Sequence, residues 1–160
     1  MKLKFVTIGL YGFDDASFFQ ALVAAQVDTF CDIRWRRGVR GSDYTFANSQ
    51  RLQARLAELG IRYRHRKDLA PTPAVRQRQN EADKASKTAK RQRAGLSPAF
   101  IDAYREEILA HFDFQSLLDD LPPDAQIVAL FCVEREPAAC HRSLVAEKLR
   151  EVLGVTVEHV

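Results

Sequence analysis

From Phe131 to Leu149 the chain reads FCVEREPAACHRSLVAEKL, and the first twelve of these positions hold Cys132, Glu134, Cys140, His141 and Arg142. Two of the three cysteines and one of the four histidines in the chain fall here. Such a cluster suits several kinds of chemistry. A thiol beside cationic groups ionises readily, and the thiolate is the nucleophilic form, a role open to Cys132 or Cys140. Glu134 and His141 are acid–base groups fit for proton transfer. Cys132, Cys140 and His141 are also soft ligands of the kind zinc takes, with His65, His159 or a water as a fourth.

Spacing argues against two of these ideas. Cys132 and Arg142 lie ten positions apart, so the C-x5-R phosphate loop of thiol phosphatases is absent. Cys140 and His141 are adjacent, and adjacent side chains on a helix diverge by roughly 100°. No C-x2-C pair exists in the chain, and the sequence assigns no metal and no cofactor. Free cysteine is also among the most buried residue types. Cys31, inside a strand-like run, reads as core.

The elements that must position these groups follow from periodicity. Strands are expected at Lys4–Ile8, VDTFCDIR (27–34), IRYRHR (61–66), QIVALFC (126–132) and VTVEH (155–159). Helical spacing follows Asp14 or Asp15, then Asn48 and the Ser97-Pro98 start, and it recurs over 74–93, 114–121 and 140–153. Alternating strands and helices predict an α/β fold. The expectation is a single Rossmann-like domain over 1–160, with a mostly parallel five-stranded sheet, helices on both faces, and a basic helical elaboration at about 67–96.

Ligands of such sheets bind outside the strand carboxyl ends. That rule gathers Tyr11, Asp32, Arg34 and His65 with Cys132, Glu134 and the helix start at Cys140, His141 and Arg142. A helix N-terminus favours an anion, and Arg34 and Arg142 would add bidentate donors, with Asp32 orienting a guanidinium. The expected function is therefore binding of a phosphate-bearing ligand, a nucleotide or nucleic acid. A Cys-dependent enzyme, a Cys/His metal site and a non-catalytic interaction module are the alternatives.

Charge distribution supports the anionic ligand. From Arg62 to Arg93 there are eleven Lys/Arg against three acids, so this segment carries +8 while the whole chain carries +3. The loop RWRRGVRGSDYTF (34–46) interleaves arginines with Trp35, Tyr44 and Phe46, and basic residues with exposed aromatics suit nucleic acid. A solvated helix and inward-folding aromatics are the plainer explanation of both features. No apolar run approaches the ~20 residues that span a bilayer, so no membrane partner is expected. An odd, small number of cysteines points to reduced thiols and a cytoplasmic setting.

The order of motifs resembles the domain of unknown function 488 family: TIG after the first strand, DIR after the second, LGIRY, and C-x-E-x2-P-x2-CHRSL, spanning Thr7 to His159. The resemblance implies one α/β domain with no assigned reaction. It carries over Asp32, Arg34, Phe46, Tyr63, Cys132, Glu134, Pro137, Cys140, His141 and Arg142. Members often follow TIG with His-Ser or Tyr-Glu-Gly, whereas this chain has Leu10-Tyr11-Gly12.

Overall fold

The computed structural model describes residues 3–86 and 95–160. Five strands, β1 (Lys4–Ile8), β2 (Thr29–Asp32), β3 (Arg62–His65), β4 (Ile127–Phe131) and β5 (Thr156–His159), form one parallel sheet in the order β3-β2-β4-β1-β5. The helices are α1 (Asp15–Ala24), α2 (Ser49–Glu58), α3 (Pro73–Ser86), α4 (Pro98–Tyr104), α5 (Phe114–Asp120) and α6 (His141–Leu153). A π-helical turn, Arg105–Leu109, continues α4. The part of the expected basic helix at 87–93 lies outside the described residues.

The strand order decides where a crevice opens. From β1 the chain moves toward the β3 edge, and from β4 it moves toward the β5 edge. Parallel crossovers share one hand, so oppositely directed connections leave on opposite faces of the sheet. β1 and β4 are neighbours, and their carboxyl ends are thus a topological switch point.

Local chemistry sets the helix starts. Asp14 caps α1 by accepting from Ser17 N at 2.7 Å while Ser17 Oγ accepts from Asp14 N at 3.0 Å, a reciprocal capping box. The centre of one sheet face is aromatic: Phe18 of α1 meets Phe30 of β2 and Phe131 of β4, with Phe46 packed beside it. Phe46 is thus core, in line with the plainer explanation of the 34–46 loop, whereas Trp35 stays 37% exposed.

Part of the basic segment is neutralised locally. Arg62 pairs with Asp28 and Asp124, Arg66 with Asp68, and Arg78 with Glu107. The raw excess of positive charge there overstates the field offered to a partner. No helix among the described residues is long and apolar enough to cross a membrane.

Candidate functional site

A cleft of about 780 Å³ opens at the strand carboxyl ends. Tyr11 follows β1, Arg34 follows β2, Cys132 and Val133 follow β4, and His141 begins α6; all line it. Arg36 and Arg40 come from the loop after β2, and Arg76, Gln77 and Asn80 from α3. Among the described residues, four arginines line the cleft and no carboxylate does. Its contour is held by main-chain bonds, since Leu10 N and Tyr11 N both donate to Val133 O, at 3.1 and 3.0 Å.

Sequence reasoning misses the contribution of α3, because the segment has almost no apolar face and so reads as a mere elaboration. The signal that could have found it is Pro71 and Pro73 soon after β3, both of which line the cleft, Pro73 as the first residue of α3.

Asp32 and Arg34 form a buried ion pair, 0% and 3% exposed. Arg34 Nε and Nη2 donate to Asp32 Oδ1 and Oδ2, both at 2.8 Å, and Nη1 donates to Ala47 O at 3.0 Å. The guanidinium also lies over the Phe131 ring, 4.8 Å from its centroid. Arg34 therefore directs its polar edge inward. The reading of Asp32 as an orienting carboxylate matches this geometry, while the guanidinium holds Asp32 and a carbonyl rather than standing free for an anion. His65 Nε2 is 2.8 Å from Arg34 O; a carbonyl can only accept, so Nε2 carries the proton.

Tyr63 completes the cluster by donating from its hydroxyl to Asp32 Oδ2 at 2.7 Å. Burial, and then the Asp32 charge, push its phenol up to about 12. Tyr63→Phe is expected to destabilise the protein by about 1 kcal/mol, measured by urea unfolding. Because the folded phenol titrates above its ordinary value of 10.0, this contribution is complete below pH 10 and is lost as pH rises toward about 12.

Arg142 is 1% exposed. Its Nη1 donates to Glu134 O at 2.6 Å and its Nη2 to Arg135 O at 3.1 Å, which leaves Nε without a hydrogen-bond partner among the described residues. Arg142 does not line the cleft. Thus 34 and 142 are both buried at this end of the sheet, yet each guanidinium grips the protein's own oxygens. Glu134, 3% exposed, lies in the turn that Arg142 holds. Tyr11 packs edge-on against Tyr44, centroids 5.4 Å apart.

Cys132, Cys140 and His141 do come together: a sulfur or ring nitrogen from each lies within 4.8 Å of the others. Cys140 is not helical. It is the N-cap of α6, with φ −132° and ψ 145°. An extended residue followed by a helical one does not project its side chain as two helical neighbours do, so the roughly 100° divergence does not apply. Cys140 Sγ and His141 Nδ1 stand 3.8 Å apart. His141 Nε2 lies 3.0 Å from Ile33 O, which places a proton on Nε2 and turns Nδ1 toward the sulfur. Tyr104 stacks edge-on against the imidazole at 5.5 Å.

The Cys132 thiol is pushed well up by its hydrogen bond to Cys140 and by burial. Burial also works to raise Cys140, but the bond from Cys132 and the charges of His141 and Arg142 outweigh it and hold that thiol well below its ordinary range. Cys31, by contrast, is buried in β2 and burial drives its thiol far upward, in keeping with a core role. Two of the expected partners for this cluster are elsewhere: His65 is bound to Arg34 O, and His159 contacts Thr7 on β1.

Among known families, the model of one described as domain of unknown function DUF488 matches residues 15–149 of the 160. No curated protein and no solved structure matches.

Proposed function

As the chain belongs to the DUF488 family, whose description carries no reaction, we propose its function from the cleft: binding of a phosphate-bearing ligand of nucleotide size. The observation that carries this reading is a concave site of about 780 Å³ lined by arginines and, among the described residues, by no carboxylate. That volume is in the range of small-ligand sites and too small to enclose a duplex. Arg34 is already bound to Asp32, so Arg36 and Arg76 supply the anion contacts in place of the Arg34–Arg142 pair. The start of α6 adds backbone dipole in the same direction. Trp35 at the rim, with Lys67 Nζ 4.3 Å from its ring centroid, offers an aromatic face for a base.

Titration calorimetry with ATP, pyrophosphate and a short single-stranded oligonucleotide tests the proposal. ATP is expected to bind, more weakly as salt rises, and Arg76→Ala to reduce its affinity roughly tenfold. Binding that is indifferent to both salt and Arg76 overturns the reading. A clear preference for the oligonucleotide makes the ligand a nucleic-acid strand instead.

A second reading, favoured by Cys132 and His141 reaching the cleft surface, makes the cysteine pair a nucleophile with His141 or Glu134 moving the proton. Iodoacetamide labelling at neutral pH tests it, and a rate no faster than that of free cysteine dismisses it.

A further inference from the structure

We propose that Cys132, Cys140 and His141 form a zinc-binding site whose fourth coordination position opens into the cleft. Tetrahedral zinc, with Zn–S of about 2.3 Å and Zn–N of about 2.0–2.1 Å, sets its donor atoms about 3.5–3.8 Å apart. Cys140 Sγ and His141 Nδ1 are already 3.8 Å apart, and every pair in the cluster lies within 4.8 Å. Closing on a cation therefore requires side-chain movements of about an ångström or less.

The surroundings also suit a metal. His141 offers Nδ1 while its Nε2–H is tied to Ile33 O at 3.0 Å, the outer contact that fixes ring orientation and ligand basicity in metal-bound histidines. The extended backbone at Cys140 lets two consecutive residues ligate one ion. Two thiolates and a neutral imidazole around one divalent cation sum to zero net charge, so a buried site here carries no uncompensated charge.

The fourth position distinguishes this site from a structural one. Closed structural sites take four protein ligands, whereas sites with three keep a place for water or substrate. Among the described residues the cluster contains three donors. Cys132 and His141 line the cleft, so an incoming oxygen or sulfur approaches from there. The site stands without the anion-binding reading, because metal titration needs no organic ligand.

The experiment uses the full chain, reduced and stripped of metal. Cobalt(II) titration is expected to give thiolate-to-cobalt charge transfer with the intense visible bands of a tetrahedral ion, saturating at one metal per chain. Zinc should displace cobalt, release protons from the thiols, and slow native-state thiol modification. Cys132→Ser and His141→Ala should weaken zinc binding by more than the roughly 10–100-fold lost when an outer contact is removed, while Cys31→Ala leaves it unchanged. Circular dichroism identifies any variant that does not fold. Where one fails to fold, thiol protection by zinc in the unsubstituted chain decides the matter. An octahedral cobalt spectrum without charge transfer, or no zinc protection of the thiols, overturns the site.

Discussion

Arg34→Ala is expected to lower stability by about 3–5 kcal/mol, the loss typical when one member of a buried ion pair is removed. Asp32 is 0% exposed, and its two oxygens accept from Arg34 Nε and Nη2, Arg34 N and the Tyr63 hydroxyl. Without the guanidinium, a carboxylate remains out of water with neutral donors alone. The Ala47 carbonyl also loses its bond, and the void left beside Phe131 adds a packing loss. Urea unfolding measures the effect, and a chain of this size should show a Tm roughly 10 °C lower. Arg34→Lys restores charge without the bidentate geometry, so it should recover only part of the loss. Adding Asp32→Asn to Arg34→Ala should be less destructive than the two separate losses summed, because the stranded charge is removed. A loss below about 1 kcal/mol is the behaviour of a solvated pair, and would mean that water reaches Asp32.

Gly9→Ala is expected to be nearly as damaging, at about 3 kcal/mol, the upper end of the usual overpacking cost. A β-carbon at this position would sit 2.1 Å from Glu134 O and 3.0 Å from Arg142 Nη2. The first neighbour is backbone, and it cannot swing aside. Relief requires β1 and the turn after β4 to part by about an ångström, against the bonds from Leu10 N and Tyr11 N to Val133 O. The same Glu134 carbonyl accepts from Arg142 Nη1, so the disturbance passes to the start of α6 and to the cysteines. Urea unfolding measures the stability loss, and faster hydrogen exchange at Leu10 and Tyr11 should accompany it. Gly95→Ala, where an added β-carbon has nothing within 4 Å, is the control and should change stability by less than about 1 kcal/mol. Equal effects of the two substitutions would refute the role assigned to Gly9.

Both predictions concern residues that hold the cleft in shape, and neither requires that a ligand be known. The arginines left to meet a ligand are on the loop after β2 and on α3. Cys132 and His141 line the same cleft. On the proposed reading, the groups for binding and for chemistry come from elements far apart in the chain and meet at one end of the sheet.

Much of this was legible in the chain alone. Short apolar and alternating runs marked the five strands, and Asp14 or Asp15, Asn48 and Ser97-Pro98 marked helix starts, because capping and patterning act within a few residues of chain. The placement of Tyr11, Asp32, Arg34, Cys132 and His141 at strand carboxyl ends followed from the alternation of strand and helix. The tertiary structure alone decided the strand order, which places β4 between β2 and β1 and so locates the crevice. It alone turned Arg34 toward Asp32, bent the backbone at Cys140 until two adjacent donors converge, and laid α3 over the sheet end. The division has a physical basis. Local conformation depends on near neighbours, whereas the direction of a long polar side chain depends on which partners from distant strands share its desolvated space. That competition is settled only when the layers pack.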